Sequence, residues 1–175
     1  MDRYNAAMAN RPILTAEEPI LRERAKRVTH FDASLHRLLE EMVETMRDAP
    51  GIGLAANQIG VPLQVAVIEL EEKVTELINP QIVRSSGEVI DWEGCLSIPG
   101  FVAEVRRHAR VTVKARDRHG KEFRVKGDEL FARALQHEID HLNGVLYIDY
   151  LESLEELVRV SERTSDVEQA TTAGS

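Results

Sequence analysis

The residues His137-Glu138-Ile139-Asp140-His141 place two histidines four positions apart, with a glutamate directly after the first. On a helix the step of about 100° per residue sets His137 and His141 within about 40° of each other, one turn apart, so both imidazoles can grip one metal ion. Glu138 lies about 100° around from His137, off the ligand row yet near enough for its carboxylate to serve as general base to a water there. Two histidines at this spacing can also merely share a partly buried helix face. A catalytic site needs a third protein donor and an open position for water. The extended motif His-Glu-x-x-His-x-x-Gly-x-x-His is followed as far as Gly144, but Tyr147 stands where its last histidine belongs. Two sources remain: a carboxylate from Glu152, Glu155 or Glu156, or the thiolate of Cys95 in Trp92-Glu93-Gly94-Cys95-Leu96-Ser97-Ile98-Pro99. Gly94 would let the backbone approach closely, and Pro99 would stiffen the exit. A sulfur ligand suits Zn²⁺, Fe²⁺, Co²⁺ or Ni²⁺ and is poor for Mg²⁺ or Ca²⁺.

The elements that must hold these residues are legible from periodicity. A helix over 129–142 follows Asp128, a capping residue, and closes at Asn143-Gly144. On its wheel Glu129, Arg133, Gln136, Asp140 and Asn143 form a polar stripe, and Phe131, Leu135, Ile139 and Leu142 an apolar one. The histidines fall at the border with Leu130 and Ala134 on their row, which points the rings at a lined cavity. Leu35, Leu38, Leu39, Met42, Val43 and Met46 predict a core helix over 33–47, stopped by Asp48-Ala49-Pro50-Gly51. Residues 51–60 read as a shaped, glycine-punctuated loop. Gly51-x-Gly53-x-x-Ala56 matches the loose dinucleotide fingerprint, but a helix precedes it and Pro62 with a β-rich run follows, the inverse of the required order. Two close glycines before Gln58 suit a backbone lying beside an extended peptide, with a side-chain amide aimed at a reacting carbonyl.

Short β-type runs follow over 63–70, 74–78, 82–84, 88–92, 101–105, 110–115 and 122–126. Asn79-Pro80, Ser86-Gly87 and Asp117-Arg118-His119-Gly120 punctuate them, and such tight connections favour antiparallel pairing. A third amphipathic stretch, 153–162, predicts a C-terminal helix, and 163–175 reads as a polar tail that frays. The fold class is therefore α+β: short-stranded, mostly antiparallel sheets around a metal-binding helix, with an N-terminal core helix and a C-terminal one. With 175 residues, 43% of them hydrophobic and 30% charged, the chain suits one compact unit, taken as 1–162. Its net charge of −8 gives no broad footprint for nucleic acid and leaves room only for a local basic patch. Residues 1–12 lack the apolar core of an export signal, and no run approaches the roughly 18 apolar residues of a membrane span, so a cytoplasmic protein is expected. The single Cys95 closes no intramolecular disulfide; it is a buried small hydrophobe or a working thiolate.

Taken together, Gly51-Ile52-Gly53-Leu54-Ala55-Ala56-Asn57-Gln58, Glu93-Gly94-Cys95-Leu96-Ser97 and Gln136-His137-Glu138-Ile139-Asp140-His141 resemble the three signature motifs of the peptide deformylase family, in order and approximate spacing. The likeness covers roughly residues 12–151, including Pro19-Ile20-Leu21-Arg22. It implies a metal-dependent hydrolase that removes the N-formyl group from formyl-methionyl nascent chains and releases formate. It also implies one divalent ion, typically Fe²⁺ with Zn²⁺ or Ni²⁺ able to substitute, held by Cys95, His137 and His141. By the same likeness Glu138 is general acid and base, and Gln58 and the backbone N–H of Leu96 steady the oxyanion. Ile52, Gly53, Gly94, Leu130 and Ala134 contact substrate. The partners implied are N-formyl-Met nascent peptides and, transiently, the ribosome, with no sequence-specific nucleic acid and no membrane.

The chain departs from the family pattern in places. Glu17-Glu18-Pro19 replaces a common Pro-Asp-Pro, and Val102 stands where some bacterial members place an arginine that meets the substrate. Arg133 puts a charge where an apolar pocket wall is common, to snorkel or to narrow the methionine site. Asp140 is expected to pair with Arg106 or Arg107, Trp92 to sit in the core, and 152–162 to present a solvated acidic face.

Overall fold

The computed structural model describes residues 10–163. Helix α1 (Ala33–Asp48) starts where the Asp32 carboxylate accepts the backbone N–H groups of Ser34 and Leu35. Its stripe of Leu35, Leu38, Leu39, Met42 and Met46 is buried. Helix α2 (Glu129–Leu142) has the expected bounds, and Gly144, at φ 75°, turns the chain out of it. Asp128 occupies the cap position without a side-chain hydrogen bond to the helix, so the expected cap is positional only.

Among the described residues eight strands form two sheets. The first five-stranded sheet has the order β1-β2-β3-β6-β7, from Gly53–Ala55, Val65–Leu70, Lys73–Ser86, Arg110–Arg116 and Glu122–Asp128, paired antiparallel throughout. Strand alternation splits its side chains between two cores. Ala66, Ile68, Leu77, Val111, Val113 and Ala115 pack on Ala132, Leu135, Ile139 and Leu142 of α2. Leu54, Val65, Val67 and Ile78 pack on the other face against α1. The second sheet, β4-β5-β8, comprises Val89–Cys95, Ile98–Arg107 and Val158–Arg159.

Several sequence expectations change. Gly53–Ala55, inside the expected loop, pairs with Ala66, Val67 and Ile68 as a strand. The runs at 74–78 and 82–84 are one strand, because Asn79-Pro80 is absorbed as an irregularity in the β3–β6 pairing. Asn79 takes φ 52°, and its amide accepts from the Val28 N–H and donates to the Val28 carbonyl. The stretch 153–162 is not a helix throughout. It forms a 3-10 turn (Leu154–Glu156), then β8 against Phe101 and Val102, and only then a helical turn from residue 160. A free edge on β5 claims the segment that amphipathic spacing alone would coil. Arg163 is described and lays its guanidinium over Trp92, 4.6 Å from the ring centroid; the rest of the expected tail, 164–175, lies outside the described residues.

Candidate metal centre

Strand β4 delivers Cys95 to a two-residue turn, Leu96-Ser97, from which β5 returns. Helix α2 delivers the imidazoles. His141 Nε2 lies 3.3 Å from Cys95 Sγ and 3.2 Å from His137 Nε2, and the three donor atoms fall within 4.8 Å of one another. Glu152, Glu155 and Glu156 are exposed and take no part in this cluster, which removes the carboxylate alternative. The expected trio is therefore brought together by two elements far apart in sequence.

The donor set fits a transition metal ion. Two nitrogens and a sulfur converge on one point, and a second group fixes the tautomer of His137. Glu93 Oε1 lies 2.5 Å from His137 Nδ1. Burial works against an ionised Glu93, but hydrogen bonds from His137 and Arg107 outweigh it and hold the carboxyl at about 2. An ionised carboxylate only accepts, so Nδ1 carries a proton, and Nε2 is left as the nitrogen that faces Cys95 and His141 and would ligate an ion. On the sulfur side, the Ser97 N–H points at Sγ from 3.4 Å and the Gln58 amide from 3.7 Å.

Glu93 is the residue the sequence reading missed. Its carboxylate also accepts from Arg107 at 2.6 and 3.1 Å and from Arg133 at 2.8 Å, while Arg107 reaches Asp140 at 2.5 Å. The expected pairing of Asp140 is thus with Arg107, and Arg106 turns outward to Glu88. A signal for Glu93 was present: residues two apart on a strand share a face, so Glu93 accompanies Cys95 toward α2. Arg133 does not snorkel. It is buried and donates to Glu93 and to the carbonyls of Val105 and Val89. Gln136, from the same stripe, is also buried and is bonded to both backbone groups of His108. Between its exposed ends Glu129 and Asn143, the polar side of α2 therefore faces the second sheet and the turn at His108.

Gln58, 1% exposed, is fixed at both ends of its amide: Oε1 accepts the Ala55 N–H at 2.9 Å and Nε2 donates to Ser97 Oγ at 3.0 Å. Glu138 is buried, and burial pushes its carboxyl up to about 7. One of its oxygens has no hydrogen-bond partner among the described residues. Gly53 runs against the other: a Cβ there would meet Glu138 Oε1 at 2.5 Å. A cleft of about 720 Å³ opens over the cluster. Ile52, Gly53, Gln58, Gly94, Cys95, Leu96, Leu130, Ala134, His137 and Glu138 all line it, with His141 buried at 1% exposure. Val102 and Arg133 are also in the wall, as is Trp92, which is half-buried at the cleft and not in the core.

An α+β scaffold that gathers a thiol and two imidazoles beneath a cleft lined by a buried carboxyl group defines a metal-dependent hydrolase class. Comparison with known proteins gives the family. The polypeptide deformylase profile matches residues 10–157. A peptide deformylase of Heliobacterium modesticaldum is 49% identical over 146 residues, covering 83% of this chain and 97% of the relative. One from Alkaliphilus metalliredigens is 51% identical over 142 residues, covering 81% and 97%. Among solved structures, a peptide deformylase from Legionella pneumophila superposes with a TM-score of 0.82 at 45% identity, covering 95% of this chain and 99% of that one. A second, from Synechococcus elongatus in complex with actinonin, gives 0.81 at 42% identity, covering 85% and 84%. The chain belongs to the polypeptide deformylase family.

Proposed function

We propose that the protein hydrolyses the N-formyl group of formyl-methionyl nascent peptides, releasing formate and a free amino terminus. The observation that carries this reading is the meeting of Cys95, His137 and His141 beneath a cleft that Cys95, His137 and the buried Glu138 line. The three ligands would hold one divalent ion, Fe²⁺ by preference with Zn²⁺ or Ni²⁺ as substitutes. When bound, such an ion lowers the pKa of a water toward about 7 and polarises a carbonyl oxygen.

The rest of the chemistry falls to the chain. Glu138 accepts the proton of the attacking water and returns it to the departing amine; a carboxyl raised to about 7 is matched to both tasks near neutral pH. Water oxygen bonds to the formyl carbon, the carbon–nitrogen bond breaks, and the amine leaves protonated. Charge builds on the formyl oxygen only as the carbon becomes tetrahedral, so donors fixed beforehand contribute most at that stage. Gln58, held at both ends of its amide, and the N–H of Leu96 supply them, each worth about 3 kcal/mol of barrier. Leu130, Ala134 and Ile52 receive the methionine side chain, while Gly53 and Gly94 let the peptide backbone lie close. The enzyme acts on nascent chains in the cytoplasm, in transient contact with the ribosome.

Glu138→Gln tests the assignment. The variant should keep its metal and its affinity for formyl-Met peptides while formate release falls to background. Near-normal turnover would remove Glu138 from the mechanism, and binding without any turnover in the wild-type protein would reduce the protein to a peptide-binding module.

A further inference from the structure

Beyond the part that α1 covers, the α1 side of the first sheet is basic in a chain whose net charge is −8. Register alone collects the cations there. Gln81 faces Lys114, Arg84 faces Thr112 and Ser86 faces Arg110 across β3–β6. Thr112 in turn faces Lys126, Lys114 faces Arg124 and Arg116 faces Glu122 across β6–β7. Val111, Val113 and Ala115, the alternate residues of β6, point the other way into the core on α2. Arg84, Arg110, Lys114, Arg116, Arg124 and Lys126 thus share one surface about 20 Å long and three strands wide, with Glu122 and Asp128 at its two ends. Among the described residues none of the six is in an ion pair, although seven other arginines are.

The face also carries a shaped depression. A hollow of about 360 Å³ is lined by the cations Arg84, Arg110 and Lys126, by Ser86 and Thr112, by Val111 and Gly127, and by the single carboxylate Asp128. Cations and hydroxyl donors around one concavity match a phosphodiester. The side chains between the cations are Gln81, Ser86 and Thr112, which offer no aromatic platform for bases and no apolar wedge for a bilayer. The surface lies on β6, β7 and the adjoining part of β3, while β1, at the opposite edge of the same sheet, lines the catalytic cleft. A partner seated on this face leaves the cleft open.

We infer that this face docks the phosphate backbone of duplex RNA without reading its sequence. The choice of RNA rests on the deformylase reading, since nascent chains emerge from an RNA-built machine. The acidic remainder of the molecule turns the basic face toward such a polyanion and holds the rest of the surface away.

The test is fluorescence anisotropy of a labelled RNA duplex of about 20 base pairs against the full-length, metal-loaded protein, between about 50 and about 200 mM salt. The wild type should bind with a Kd on the order of 10 μM at low salt and weaken steeply as salt rises. Arg84→Gln, Arg110→Gln and Lys126→Gln combined should cost at least about tenfold and flatten the salt slope by about three. If that variant melts early, Lys126→Gln alone should flatten it by about one. Arg24→Gln, Arg27→Gln and Lys73→Gln combined remove the same charge elsewhere and should leave the affinity within about twofold. The proposal is overturned by no binding at the lowest salt, by equal losses in the two triple variants, or by tighter binding to duplex DNA or to phosphatidylserine vesicles than to RNA. Because no formylated peptide is present, formate release measured separately tells a failure here from a failure of the deformylase reading.

Discussion

The two sheets are joined to helix α2 by opposite means. The five-stranded sheet meets it through Ala66, Ile68, Leu77, Val111, Val113 and Ala115, an apolar contact whose strength follows the area removed from water. The three-stranded sheet meets the same helix through Glu93, Arg107, Arg133, Asp140 and Gln136, nearly all buried and all hydrogen-bonded. Apolar contacts tolerate small shifts because they are non-directional. A buried network of charges does not, because each group left short of a partner costs its desolvation. The sheet that carries Cys95 is therefore keyed to the helix that carries the histidines by the contact type that fixes register, while the wider sheet supplies bulk stability.

The sharpest way to separate the two contacts is to strike the ligand first. Cys95→Ala should lower metal affinity on the order of a thousandfold and abolish formate release while the metal-free protein melts close to wild type, as read by metal analysis and calorimetry. A smaller but broader effect is expected of Glu93→Ala. It strands Arg107 and Arg133 in the interior, so the metal-free protein should lose about 3 to 5 kcal/mol in denaturant titration and metal affinity should drop about 10- to 100-fold. Leu39→Ala, within the apolar core on α1, should cost about 3 kcal/mol by the same titration yet leave the metal affinity of the folded protein unchanged. If Leu39→Ala moved metal affinity as far as Glu93→Ala does, the division of labour between the sheets would be wrong. The smallest change lies in the β2–β3 hairpin, where Glu71 and Glu72 hold φ of 50° and 63°, a conformation that glycine adopts without a Cβ penalty. Glu72→Gly should raise stability by about 0.5 to 1 kcal/mol and leave formate release untouched.

What the sequence made legible follows the same division. Helices α1 and α2 and most strands were readable because their apolar residues repeat at 3.6 or 2 and that periodicity is what burial in the five-stranded sheet rewards. That Cys95, His137 and His141 lie together was readable because metal chemistry restricts residue type and spacing. The polar side of α2 carried no such guide, since the partners of Arg133 and Gln136, namely Glu93, Val89, Val105 and His108, lie far along the chain. Glu93 went unassigned because its role depends on a rotamer and a neighbour 44 residues away, not on local pattern. The end of the chain was misread for a comparable reason: the pairing of Val158 with Val102 is a long-range event that no window of the sequence contains. Asn79-Pro80 looked like a break because the clamp on Val28 lies outside its window.

The distance along the chain between Cys95 and His141 sets an order of events during synthesis. A polypeptide emerging from its amino end exposes the thiol first and completes the trio only when α2 has left the machine that makes it. Until then the lone sulfur has no chelating company, so ion capture falls near the end of maturation and reports that β4 and α2 have found each other. Loading with a metal ion would in this sense be a proofreading step for the fold.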